Sequence, residues 1–211
     1  MKAKSPSKSR LKASLRRGRG RPRGFDLEQA LDRALNVFWR KGFEGASLPD
    51  LTRAMRINRP SLYAAFGNKE ALFRRALDRY AQGPACYVRE ALEAPTAREV
   101  AGRLLRGAAA GLTDPRHPRG CLLVQGALSC GDAAEGVRAE LCSRRAAGEA
   151  AIRRRMQRAR REGDLPAGAD PADLAKYLAT MIHGLAVQAA GGAKTEQLRR
   201  VAETALRAWP T

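Results

Sequence analysis

The stretch "SLPDLTRAMRINRPSLYAAFGNKEALF", residues 47–73, holds two short amphipathic runs separated by a tight break. Ser47 and Asp50 have capping-box spacing, and Leu48, Leu51, Ala54 and Met55 form one helical face. After "MRIN", Asn58 is placed to cap a second short helix. Pro60 is tolerated there because first-turn amides have no intrahelical acceptor. Leu62 and Phe66 point inward, which leaves Arg59, Pro60, Ser61, Tyr63 and Ala64 outside. Two short helices joined in this way form a helix-turn-helix, whose second helix fits the DNA major groove. Tyr and Ser hydroxyls suit phosphates, and Arg59 can offer guanine a bidentate fork. Periodicity alone is equally compatible with an ordinary bundle turning a tight corner.

Upstream, Asp26 is a candidate cap, with Gln29 at the capping-box position. Leu27, Leu31, Ala34, Leu35 and Phe38 form a helical stripe that Gly42 can end in a left-handed conformation. Before that helix, residues 1–23 carry ten Lys and Arg and no acid, about half of the formal net charge of +19. With no apolar periodicity, this arm is expected to be disordered alone. A sequence pI near 11 points to a polyanionic partner, nucleic acid before an acidic membrane surface. Arg19, Arg21 and Arg23 are its candidate contacts. Two uses remain open: insertion into a minor groove, as "RGRP" resembles an AT-hook core, or diffuse attraction to phosphates. A tail with no function is the third reading.

Downstream, Asn68 caps a helix with the stripe Leu72, Phe73, Ala76, Leu77 and Tyr80, which Gly83-Pro84 stops. The same grammar predicts a short helix over 85–93, one opened by Thr96 and Glu99, and the apolar segment "CLLVQGAL". It also predicts a long helix from Asp132 and Glu135 to about Glu162, one from Asp170-Pro171, and a last one ending near Trp209. Ala and Leu dominate the apolar residues and β-branched residues are sparse. The expected fold is all-α, with nine or ten helices.

Residues 20–77 resemble the DNA-binding domain of the TetR family of bacterial transcriptional regulators. "RKGFEGASLPDL" is similar to the family's entry into its second helix, and "SLYAAFGNKEALF" to its recognition helix and the start of its fourth. The resemblance implies that Ser47 caps the second helix and holds a phosphate. Arg59, Pro60, Ser61, Tyr63 and Ala64 would face DNA with Asn58 at their start, and Lys69 would clamp the backbone. Arg56 stands where the family usually has Gly, so either the turn is strained or Arg56 reaches a phosphate. Ala64-Ala65 replaces a bulkier pair, which limits base readout there to contacts such as a thymine methyl.

The resulting division is a basic arm (1–23), a helix-turn-helix domain (24–68) and a helical effector-binding and dimerisation domain (69–211). By resemblance, the helices at about 171–190 and 195–209 would pair with their copies in a second subunit, with Leu185, Leu198 and Leu206 as dimerisation candidates. The alternative is that these stripes close the protomer's own core. An unidentified small-molecule effector would sit among the middle helices. Tyr87, Gln125, Tyr177, Met181 and His183 are candidates because they bring polar or polarisable atoms to apolar faces. For His183 the plainer reading is a satisfied core histidine. Cys121 follows "RHPRG", so Arg116, Arg119 and a helix start could stabilise its thiolate for redox or electrophile sensing. The plainer expectation for Cys86, Cys121, Cys130 and Cys142 is buried reduced thiols.

The expected function is a ligand-responsive repressor, a homodimer on a palindromic DNA operator. No carboxylate cluster or nucleophile–base spacing suggests an enzyme, and no cofactor or metal is expected. A basic architectural protein would not need the long apolar-faced C-terminal part. No apolar run follows the basic start, and 178–190 is too short to span a bilayer, so a cytoplasmic location without membrane contact is expected.

Overall fold

The computed structural model describes residues 26–128 and 134–210. The arm candidates Arg19, Arg21 and Arg23, together with Cys130 and Asp132, lie outside the described residues. The described chain forms ten α-helices and no strand: α1 (Leu27–Gly45), α2 (Leu48–Met55), α3 (Arg59–Phe66), α4 (Lys69–Gln82), α5 (Tyr87–Leu92), α6 (Ala97–Gly111), α7 (Leu122–Leu128), α8 (Glu135–Arg161), α9 (Pro171–Ala190) and α10 (Thr195–Arg207). None of these is long and apolar enough to cross a membrane.

Local chemistry sets most helix starts. Ser47 and Asp50 form the reciprocal capping box of α2, and Asn58, Asn68, Thr96 and Asp170 accept first-turn amides of α3, α4, α6 and α9. Asp26 caps α1, but Gln29 does not complete a box, because its Oε1 accepts from Arg33 instead. Gly42 is left-handed at φ 70°, as expected, but it kinks α1 rather than ending it, and a last turn continues to Gly45.

Two hydrophobic cores form. The first joins Phe38 and Trp39 of α1, Leu51 of α2, Leu62 and Phe66 of α3, and the α4 stripe from Leu72 to Tyr80. It also takes in Leu122 of α7 and Val137 and Leu141 of α8. The N-terminal core therefore does not stop at residue 68. The apolar face of α4 needs α1 to cover it, and α7 packs against both helices. Ion pairs fix α4 on both flanks: Arg79 meets Asp32 at 2.6 Å and Glu28 at 3.2 Å on α1, and Asp78 meets Arg144 of α8 at 2.7 Å. The second core joins α6, α9 and α10 through Leu104, Leu105, Leu178, Leu185, Leu198 and Leu206.

One arginine of α8 is internal. Arg155 is 5% exposed and donates to the carbonyls of Leu92, Ala94 and Pro95 at 3.2, 2.7 and 2.9 Å. The guanidinium satisfies carbonyls that the end of α5 leaves without intrahelical donors, and its charge suits that helix end.

Candidate nucleic-acid interface and effector cavity

The reversal between α2 and α3 is a Schellman turn. Ile57 N–H donates to Thr52 O at 3.1 Å and Arg56 N–H to Arg53 O at 3.3 Å. That closure requires Arg56 at φ 58°, ψ 41°, the only positive φ outside glycine among the described residues. The left-handed region costs an L side chain roughly 1–2 kcal/mol. Strain at this turn is thus observed, and the exposed Arg56 side chain remains available to a phosphate as well.

Within α3, Leu62 is fully buried and Phe66 is 4% exposed. Arg59, Pro60, Tyr63 and Ala64 are exposed, with Tyr63 at 47%. Ser61 is half-buried, and its N–H is held by Asn58 Oδ1 at 2.8 Å. Asn58 therefore shapes the helix start whatever else it touches. Burying Leu62 and Phe66 fixes the rotation of α3, which places the arginine, tyrosine and alanine together on the open side.

Ser47 Oγ donates to Asp50 Oδ2 at 2.7 Å and accepts from Asp50 N–H at 3.2 Å. Lys41 meets the same carboxylate at 2.8 Å. Hydrogen bonds from Lys41 and Ser47 hold Asp50 at a pKa of about 2, below its ordinary 3.8. Lys69, at the start of α4, lies 4.5 Å over the Phe43 ring, with Nζ 3.5 Å from Glu44 O. Burial lowers its pKa, against the opposing pull of Glu44. Ser47, Lys69 and the α3 face occur in one helix-turn-helix frame.

A cavity of about 430 Å³ lies among α4, α5, α7, α8 and α9. Of the expected effector residues, Tyr87, Cys121 and His183 line it. Gln125, Tyr177 and Met181 do not. Tyr177 instead donates its hydroxyl to Ala205 O at 2.9 Å, tying α9 to α10, and Met181 packs on the second core. Gln125 faces the turn at Gly120, where a Cβ would meet its Nε2 at 3.0 Å. Arg144, Arg145 and Glu149 also line the cavity and were missed. They lie in a helix whose many charged residues read as a solvated face.

Cys121 is half-buried, and its Sγ lies 3.4 Å from the Tyr80 hydroxyl. The expected cations are engaged elsewhere. Arg116 pairs with Asp114 at 2.6 Å, and Arg119 donates to the carbonyls of Ala189 and Ala193. Cys86 is also half-buried, whereas Cys142 is exposed, contrary to the expectation of buried thiols, because it faces outward on α8. Burial and the neighbouring Cys121 push the Tyr87 hydroxyl pKa upward, so Tyr87 stays a neutral donor. Behind its ring stands Gly107 of α6, where a Cβ would come within 2.6 Å of Tyr87 Cδ2.

Leu185, Leu198 and Leu206 are 2%, 2% and 6% exposed within a single chain. As dimerisation contacts they are a misassignment, since they face the protomer's own second core. The opposite faces of α9 and α10 are open. They expose Val187 and Val201 at 50% and 44%, the large apolar side chains that join Tyr63 on the described surface. Thr180 and Gly184 share the face of Val187, and nothing lies within 4 Å of a Cβ built on Gly184.

Comparison with known proteins agrees with this architecture. The profile described as "Bacterial regulatory proteins, tetR family" matches residues 30–76, and the "Tetracyclin repressor-like, C-terminal domain" profile matches residues 102–208. The HTH-type transcriptional repressor ComR of Escherichia coli K12 is 33% identical over 198 residues, 93% of this chain and 94% of that protein. A cysteine mutant of the TetR family transcriptional regulator CifR, solved in complex with 26-bp double-strand operator DNA, is 49% identical with a TM-score of 0.86. That match covers 90% of this chain and 100% of the CifR chain. A putative TetR regulator from Rhodococcus sp. RHA1 is 39% identical over 88% of this chain and 99% of its own, with a TM-score of 0.60. With both halves matched and full-length relatives at these identities, the chain belongs to the TetR family of bacterial regulatory proteins.

Proposed function

We propose that this regulator represses transcription as a homodimer on a two-fold symmetric operator and is released when a small molecule fills the cavity beneath α4. The carrying observation is the open face of α3, which presents Arg59, Tyr63 and Ala64 from a frame fixed by Leu62 and Phe66. The CifR cysteine mutant, with the same fold and 49% identity, is solved in complex with operator DNA. Arg59 suits a guanine edge, Ala64 a thymine methyl, and the Tyr63, Ser47 and Lys69 polar groups suit phosphates. Two copies joined through Val187 of α9 and Val201 of α10 would supply the two recognition helices that a palindrome requires. The family consists of DNA-binding regulators rather than enzymes.

The test is fluorescence anisotropy with promoter DNA adjoining the gene, with and without excess nonspecific duplex. Specific binding should survive the competitor. Arg59→Ala and Tyr63→Ala should each weaken it by about 1–3 kcal/mol with unchanged circular dichroism. If both variants bind like the wild type, α3 is not the reading helix. The basic arm belongs to the same reading. Deleting residues 1–23 should lower the slope of log K against log salt by roughly four to seven units for a dimer, at about 0.9 per phosphate contact. Loss of A/T preference in the flanks would identify minor-groove insertion, and an unchanged flank preference would identify diffuse attraction.

A second mode of release is favoured by one observation: Cys121 lines the cavity and its sulfur is bonded to α4 through Tyr80. A cavity molecule that alkylates or oxidises Cys121 would break that bond. Cys121→Ser should then bind DNA but resist release by a quinone or peroxide, and equal release of mutant and wild type would discard this mode.

A further inference from the structure

The charge around the cavity is unevenly matched. Arg144 is neutralised twice, by Asp78 and Glu140, each at 2.7 Å. Glu149 is neutralised by Lys176 at 2.7 Å. Arg145 has no carboxylate partner among the described residues. Its Nη2 lies 3.3 Å from Cys142 Sγ, a weak acceptor. Arg145 is only half-exposed and lines the cavity beside His183. The proximity is visible electrostatically, because the His183 pKa is lowered first by burial and next by Arg145, with Lys176 adding and Glu149 opposing. Arg89, also without a carboxylate partner among the described residues, is exposed and lines the same cavity. The remaining wall is apolar: Val88, Leu92, Leu123, Ile152 and Ile182. Tyr80 and Tyr87 contribute neutral hydroxyls.

We propose that the effector of this cavity is a small organic anion, with one carboxylate-sized group held by Arg145 next to His183 and an apolar body packed between α5 and α8–α9. The proposal rests on the effector-release reading above and gives it a chemical class. Half-buried, Arg145 gains from an anionic partner because a guanidinium meets a carboxylate with two parallel charge-assisted hydrogen bonds. A cavity of about 430 Å³ holds on the order of fourteen non-hydrogen atoms at roughly 30 Å³ each, so a medium-chain carboxylate or an aryl carboxylate fits. A larger cleft of about 820 Å³ between α1 and α6 lacks this imbalance. Its two arginines, Arg79 and Arg116, are already paired with Asp32 and Asp114.

The test uses the full chain, with octanoate as the probe and 1-octanol and octylamine as neutral and cationic isosteres. Calorimetry on the DNA-free protein reads ligand binding, and anisotropy on promoter DNA reads release. Octanoate should bind about tenfold or more tighter than octanol, and octylamine more weakly than either. Arg145→Gln should remove the advantage of octanoate over octanol, and Arg145→Lys should keep only part of it, because the ammonium retains the charge but not the two-bond fork. Ile182→Trp should weaken octanoate and octanol alike by filling the cavity, which separates this site from surface binding. Equal affinities of octanoate and octanol for the wild type, an undiminished octanoate preference in Arg145→Gln, or no octanoate binding at millimolar concentration would each overturn the proposal. Failure of the regulator reading is separately visible, because the wild type would then show no competitor-resistant DNA binding before any ligand is added.

Discussion

The Tyr80 hydroxyl donates to Cys121 Sγ across 3.4 Å, and the same side chain meets Trp39 edge-on with ring centroids 4.8 Å apart. Tyr80 therefore belongs to the cavity wall and to the first core together. On its other side Trp39 stacks with His117 at 5.8 Å, a residue of the same α6–α7 connection that ends at Cys121. A ligand that shifts Cys121 acts on α4 and α1 through one buried ring.

Removing only the hydroxyl tests this link. Tyr80→Phe should cost about 0.5–1.5 kcal/mol in urea unfolding, toward the lower end because sulfur accepts weakly. Tyr80→Ala should cost about 3–5 kcal/mol through loss of the ring. Tyr80→Phe should also change the effector concentration that releases half of the DNA. An unchanged release midpoint would make the bond purely structural.

Arg56 offers a stabilising substitution. Arg56→Gly relieves the left-handed backbone at φ 58° but adds unfolded-state freedom, so the expected net gain is about 0.5–1 kcal/mol. Chemical denaturation measures it. If the guanidinium also sits on a phosphate, the same variant should lower the salt slope by about one unit per subunit.

The inner and outer faces of α9 and α10 should respond differently to charge. Val201→Glu should give a folded monomer by sedimentation with weak DNA binding, because Val201 is 44% exposed in the protomer. Leu206→Glu should instead unfold the chain, since it places a carboxylate in the second core. A dimeric Val201→Glu protein would move the subunit contact elsewhere.

Acid should loosen the entry to α2 over a defined window. Asp50 has a folded pKa of about 2, below its ordinary 3.8. Its contribution is therefore present above about 3.8 and is lost as pH falls through about 2. Asp50→Asn should be less stable at neutral pH, and the difference from wild type should shrink in that window. A constant difference down to pH 2 would separate the capping box from this titration.

The helix starts were legible because their causes are local. Ser47, Asn58, Asn68 and Asp170 each announce a cap within three residues, and the outer face of α3 follows from Leu62 and Phe66 alone. The long-range choices were not legible. In α9 and α10 both faces carry apolar or small residues, so periodicity cannot tell Leu185 from Val187 as the buried one. Arg155 lies in "RRRMQRARR", where nothing in the sequence marks one arginine as internal. That Arg145 lines the cavity and Tyr177 does not was illegible for the same reason, since the docking of α8 on α9 decides which side chains reach it.

Gly107 stands behind Tyr87 with no room for even a methyl group, since a Cβ there would lie 2.6 Å from Cδ2 and 3.1 Å from Cγ. Any side chain at this position must push the phenol ring aside. The hollow that this ring borders can thus be reshaped from α6, outside its own lining. A graded series at position 107 would act as a dial on which molecules a biosensor built from this chain admits, leaving Arg59 and Tyr63 untouched.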